Sequence, residues 1–176
     1  MDAKHSTIKV IDDFLPLEII HEMHTHVVSH HDEYSWRPNR IWDPGLVIGS
    51  PSIMLMNMGM FSTELFSACS SRVDWIDFSE LELPYPVFYD APVNSYVNWH
   101  TEEVPLSISI YLTNEWKREW GGLFLYEEDG NINGIVPSFN RAVISGPHVP
   151  HCVTTINPTT QSNRYSLQLF FTERNK

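Results

Sequence analysis

Cysteine is scarce in this chain. Only Cys69 and Cys152 occur, far apart and without metal-binding or redox spacing, so the expectation is two reduced thiols in an intracellular protein. Basic residues are also few: 11 Lys+Arg stand against 22 Asp+Glu, a formal net charge of -11. Such a surface repels phosphate backbones, and no Lys/Arg cluster offsets it, so nucleic acid is not an expected partner. No apolar run approaches the ~18 residues needed to cross a bilayer, which argues against a membrane partner. The start, Met1-Asp2-Ala3-Lys4-His5-Ser6, has no apolar core of the signal-peptide kind, and a cytoplasmic location is the expectation. Internal repeats, linkers and low-complexity tracts are absent. What remains is 176 residues, 42% hydrophobic and 12% aromatic, a globular chain long enough for one domain with a sizeable core.

The N-terminal part, about residues 12–80, reads as mainly helical. Thr7–Ile11 suggests a short strand, broken by Asp12-Asp13-Phe14-Leu15-Pro16. Pro16 suits the first turn of a helix, and Ile20, Met23 and Val27 continue an apolar stripe to about His30. His21 and His24 are i, i+3 neighbours on that helix, either a metal pair or a polar face. Residues 32–51 crowd Trp36, Arg37, Pro38, Arg40, Trp42, Pro44 and Gly45 into a loop, either a lid that touches substrate or a surface loop tied down by its aromatics. Ser52–Met60 alternates like a strand and is rich in methionine, which favours adaptable packing. Ser62 is placed to cap a second helix through about Ser70.

From about residue 85 to 172 the pattern becomes a series of short β-prone runs: Val87–Asp90, Ser95–Glu102, Leu106–Leu112, Gly122–Tyr126, Ile132–Val136, Arg141–Ser145, His151–Ile156 and Arg164–Phe170. Asp129-Gly130-Asn131 and Asn157-Pro158 mark turns. Eight such runs suggest a sandwich or barrel, and eight is the jelly-roll number. The fold class expected is mainly β with flanking helices.

Within those runs lies Asn98-Trp99-His100-Thr101-Glu102-Glu103. On a strand, positions i and i+2 share a face, so His100 and Glu102 aim at one point while Glu103 turns to solvent. An imidazole and a carboxylate are two thirds of the facial triad that holds non-haem Fe(II), and one more histidine completes it. His148 and His151 are an odd number of positions apart, so one at most reaches the metal. His151 lies inside a β-prone run and is the choice; His148 sits beside a proline in the preceding loop. Thirteen positions later come Arg164 and Ser166, again on one face. A guanidinium grips a carboxylate in two prongs and a hydroxyl adds a third bond, which suits the far end of a dicarboxylic acid.

This ordered set, His100-x-Glu102, Trp120-Gly121-Gly122, His151 and Arg164-x-Ser166, resembles the Fe(II)/2-oxoglutarate-dependent oxygenases, in particular their prolyl-hydroxylase-like branch. Asp12-Asp13-Phe14-Leu15, Ile110-Tyr111-Leu112 with Asn114-Glu115-Trp116, Val136-Pro137, and Asn140-Arg141-Ala142-Val143 fit in the same order. The resemblance implies a double-stranded β-helix, with Fe(II) on His100, Glu102 and His151 as the catalytic centre. It implies 2-oxoglutarate held by Arg164 with Ser166 and Tyr111, and admits ascorbate as an additional cofactor. The activity implied is O2-dependent hydroxylation of an unactivated C–H bond in a peptidyl proline, an amino acid or another small molecule, leaving succinate and CO2. Most of the family has aspartate where this chain has Glu102, which places the carboxylate outward by roughly one C–C bond, ~1.5 Å. That departure keeps a second reading open, a cupin-like or degenerate jelly roll that binds metal or metabolite without turnover. A third, a metal isomerase or hydrolase on a related barrel, has no need of Arg164-x-Ser166.

Overall fold

The computed structural model describes residues 7–29, 36–39, 43, 45–55, 61–82 and 86–174. Its frame is two antiparallel sheets facing each other. In chain order the main strands are β1 (Ile8–Ile11), β2 (Ser52–Leu55), β3 (Val87–Ala91), β4 (Tyr96–His100), β5 (Leu106–Tyr111), β6 (Phe124–Glu128), β7 (Asn131–Ile135), β8 (Ala142–Ser145), β9 (His151–Val153) and β10 (Arg164–Glu173). The larger sheet runs β1-β8-β5-β10-β3-β2, with the short pair Arg37–Pro38 beside β2 and Leu81–Glu82 beside β10; the smaller runs β7-β6-β9-β4, with Val47–Ile48 at its edge. This is the jelly roll expected from the run of short strands.

Period-2 side-chain alternation divides the larger sheet. Leu106, Ile108 and Ile110 of β5, Ala142 and Ile144 of β8, and Leu167, Leu169 and Phe171 of β10 join the buried cluster on the helix side. Their neighbours Ser107, Ser109 and Tyr111, Val143 and Ser145, and Arg164, Ser166, Gln168 and Phe170 line a cavity between the sheets. One face of each strand therefore builds the core and the other builds the site.

Helix α1 (Leu17–Ser29) closes the helix side. The Pro16 carbonyl accepts the Ile20 N–H at 3.1 Å, so proline stands at the helix start where it lacks no bond. Ile20, Met23 and Val27 are fully buried, and each contributes roughly 1.5–3 kcal/mol, more than a helix of this length gains from propensity. Histidines of α1 help fasten it: His24 Nδ1 donates to the Leu112 carbonyl at 2.7 Å, and the His21 ring packs on Phe139; neither belongs to a His/Cys/Asp/Glu cluster of three or more among the described residues. The N-terminal segment is further clasped by Asn140. Its carboxamide accepts from Leu15 N at 2.9 Å and donates to Leu15 O at 2.8 Å.

Helix α2 (Ser62–Arg72) starts otherwise than expected. Phe61, at φ 59°, is the capping position, and Ser62 is already helical, with no side-chain cap bond. The buried Phe61 ring anchors the turn, and its carbonyl takes the first helical N–H, from Leu65 at 2.9 Å. Trp36 also differs from a lid residue. It packs against the helix-side core and the ring of Tyr165, on the sheet face away from the cavity. His30, Arg40, Trp42, Pro44 and Met56–Met60 lie outside the described residues.

Candidate active site

Strand β4 stops at His100, so Glu102 is not on a strand as its sequence suggested. It lies in the irregular segment leading to β5, where its carbonyl accepts the His148 N–H at 2.9 Å. The two side chains still meet: His100 Nε2 and Glu102 Oε1 are 3.8 Å apart. The third member arrives by strand register. His151, first residue of β9, stands directly opposite His100 on β4, with an irregularity in the ladder between His151 and Val153. The ring centroids are 4.2 Å apart. The candidate ligand atoms of His100, Glu102 and His151 all lie within 4.8 Å of one another, the one such group among the described residues. His148 takes no part; it holds a left-handed turn at φ 60°. Glu103 is exposed, as its position implied.

Both imidazoles are held the same way. His100 Nδ1 lies 2.8 Å from the Asn98 carbonyl and His151 Nδ1 2.8 Å from the Val149 carbonyl. A carbonyl only accepts, so each Nδ1 carries a proton and Nε2 is the ring nitrogen left for a ligand. Burial pushes His151 below the ordinary histidine range; His100 adds in the same direction, while the Val149 hydrogen bond and Glu102 oppose it. The Phe124 ring, stacked at 5.0 Å, fixes the His151 plane from one side. Glu102 Oε2 is buried without a hydrogen-bond partner. Two Nε2 atoms and a carboxylate oxygen lacking any donor, close together, make a set that suits a divalent cation.

Farther along the cavity, Arg164 is buried at the start of β10. Its Nη1 donates to the Gly122 carbonyl at 2.8 Å, its Nε has no partner, and Tyr111 stands with its ring 5.9 Å from the guanidinium carbon. Among the described residues no carboxylate pairs with it. Ser166 Oγ is likewise buried and unpartnered. Burial pushes the Tyr111 hydroxyl up, against the pull of Arg164, so it stays a neutral donor. A buried guanidinium, a phenol and an unpaired hydroxyl form a receptor for one carboxylate group.

The cavity has an empty volume of about 880 Å³, counting the part open to solvent. Ser107, Ser109, Ser145 and Gln168 also line it, with Ser109 donating to Gln168 Oε1 at 2.7 Å. The alternation Leu106-Ser107-Ile108-Ser109-Ile110-Tyr111 carries that signal in the sequence, an inward polar face. The carbonyls of Asn98 and Val149 leave no trace in residue type. Val47 and Pro51, at the far end of the stretch 32–51, line the cavity, whereas Trp36 does not.

The model of the 2OG-Fe(II) oxygenase superfamily matches residues 87–172, the segment that contains all six of these side chains. A search of curated proteins gives no match. Among solved structures, a Pseudomonas putida prolyl-4-hydroxylase is similar with a TM-score of 0.76 at 19% identity, over 98% of this chain and 95% of that one. A Trichoplax adhaerens prolyl hydroxylase, in complex with a hypoxia inducible factor oxygen degradation domain peptide fragment, gives 0.74 at 16% identity, over 96% and 84%. HygX from Streptomyces hygroscopicus, with nickel, 2-oxoglutarate and hygromycin B bound, gives 0.70 at 9% identity, over 96% and 83%. At these identities the likeness establishes the fold, and the family match supplies the chemistry. Residues 87–172, the segment that carries the site, thus match the 2OG-Fe(II) oxygenase superfamily.

Proposed function

We propose that this protein is a 2-oxoglutarate-dependent dioxygenase that hydroxylates an unactivated C–H bond, with His100, Glu102 and His151 holding Fe(II). The observation that carries it is the pairing of two half-sites in one cavity. One is a His/Glu/His group with both Nδ1 atoms tied to carbonyls and a partnerless Glu102 oxygen; the other is a buried Arg164 with which no carboxylate among the described residues pairs. When bound, iron and 2-oxoglutarate supply the oxidising chemistry that converts O2, 2-oxoglutarate and R–H into R–OH, succinate and CO2.

The chain's own residues set the stage for that reaction. The Asn98 and Val149 carbonyls fix a proton on Nδ1 of each histidine and so leave Nε2 as the ring nitrogen offered to a ligand. Arg164, with Ser166 and Tyr111 beside it, would take the distal carboxylate and so position the cosubstrate. Phe124, Val153 and Ile156, apolar in the cavity lining, limit water around the reacting atoms. The longer Glu102 serves where aspartate is usual, since its carboxylate reaches the histidine pair.

For the substrate, the likeness to two prolyl hydroxylases supports a peptidyl proline first, ahead of a free amino acid or another small molecule. The test is succinate formation from 2-oxoglutarate by the purified chain with Fe(II) and O2, alone and with prolyl peptides. Succinate is expected from wild type and not from His151→Ala. A wild type that binds both cofactors but forms no succinate, with or without peptide, would return the reading to a non-catalytic jelly roll.

A further inference from the structure

Arg164 is a long, flexible cation held out of water with no counter-ion among the described residues. One hydrogen bond fixes its guanidinium: Nη1 to the Gly122 carbonyl, 2.8 Å. That carbonyl is itself tightly held. Gly121 and Gly122 both have positive φ, 69° and 62°. A Cβ on Gly121 would stand 2.1 Å from the Thr155 carbonyl oxygen, an impossible approach, so only glycine fits. Gly122 N donates back to the same Thr155 oxygen at 3.2 Å, and the Trp116 indole N–H caps the Gly121 carbonyl at 2.9 Å. A Cβ on Gly122 would meet Ile156 Cγ1 at 3.1 Å, Trp116 Cζ2 at 3.3 Å and Arg164 Cδ at 3.4 Å. Gly122 therefore packs directly against the Arg164 side chain.

The geometry points to Gly122 and Trp116 as positioning residues for cosubstrate binding, with the Gly122 carbonyl holding the Arg164 fork open toward the cavity and the Trp116 indole holding the Gly121–Gly122 peptide in place. The inference rests on the 2-oxoglutarate reading above. Without that carbonyl the guanidinium would have to be ordered by the ligand itself, and affinity would fall by the cost of ordering it. Metal binding, built on β4 and β9, would be untouched.

Calorimetric titration of 2-oxoglutarate into the Mn(II)-loaded full chain, without O2, tests this. Gly122→Ala forces a side chain into a left-handed position and shifts the carbonyl; about tenfold weaker 2-oxoglutarate binding is expected, with Mn(II) affinity within about twofold of wild type. In an Arg164→Lys background the same substitution should add nothing, because a lysine makes no fork to hold. A purely structural role would weaken metal and cosubstrate together, and would persist in the lysine background. If Gly122→Ala does not melt cooperatively, Trp116→Phe carries the test: it keeps an aromatic ring, removes the indole N–H, and should weaken 2-oxoglutarate alone. Unchanged 2-oxoglutarate affinity in the folded variant, or an equal loss in the Arg164→Lys background, overturns the inference. A wild type that fails to bind 2-oxoglutarate would instead overturn the functional reading.

Discussion

At the scale of single residues, function is concentrated in atoms that the fold leaves without partners. Glu102 Oε2, Arg164 Nε and Ser166 Oγ are all buried and all unbonded. Buried polar groups are ordinarily satisfied, so three in one cavity mark where ligands belong. His151→Ala removes a first ligand and should weaken Mn(II) binding by roughly a hundredfold or more, since even outer partners of metal ligands are worth about 10–100-fold; titration followed by electron paramagnetic resonance reads this directly. Cys69 illustrates the opposite case. Burial pushes its thiol up to about 12, so it should resist iodoacetamide at neutral pH and react only on unfolding, which mass spectrometry of the alkylated protein decides.

At the scale of elements, two contacts lock the N-terminal segment onto the strands that carry the site. Asn140 gives both ends of its carboxamide to the Leu15 backbone while its own backbone sits at φ 58°. Asn140→Ala would leave buried Leu15 groups unpaired in a left-handed turn, and should cost about 2–4 kcal/mol in urea unfolding. Arg141 grips Asp12 in two prongs, at 2.6 and 3.0 Å. The Arg141 hydrogen bond is the main reason the Asp12 carboxyl lies below its ordinary range. A folded-state value below the unfolded one gives stability that is present above the unfolded value and lost as pH falls through the folded one. Asp12→Asn should therefore destabilise at neutral pH, by less than about 1 kcal/mol because Asp12 is largely exposed, and the penalty should vanish in acid. Unfolding curves at neutral and at strongly acidic pH compare the two. Neither contact could be read locally: Asn140 and Leu15 are 125 residues apart, and asparagine in isolation signals only a turn.

At the scale of the molecule, the site joins the two sheets. His100 and His151 belong to the smaller sheet, Arg164, Ser166 and Tyr111 to the larger. On the proposed function, a metal ion alone would cross-link only the smaller sheet and the segment after β4, whereas metal with 2-oxoglutarate would bridge both. Thermal scans should show a small rise with Mn(II), little with 2-oxoglutarate alone, and a further rise of about 2–6 °C with both near a hundred times their Kd. A shift from 2-oxoglutarate alone equal to that of the pair would argue against the bridge.

The amino-acid sequence determined, through rules that act over a few residues, that the chain would be mainly β with flanking helices, that Ile20, Met23 and Val27 would face inward, and that Arg164 and Ser166 would share a face. Those features follow from backbone sterics and side-chain periods, which are local. The tertiary structure decided what local rules could not. The β4–β9 register sets His151 opposite His100. β4 ends before Glu102, and the side chain still reaches the pair. Trp36 goes to the core rather than the cavity, and the Gly122 carbonyl meets a guanidinium 42 positions away. Each depends on how strands distant in sequence are brought side by side, and that is settled by packing two sheets and a helix at once.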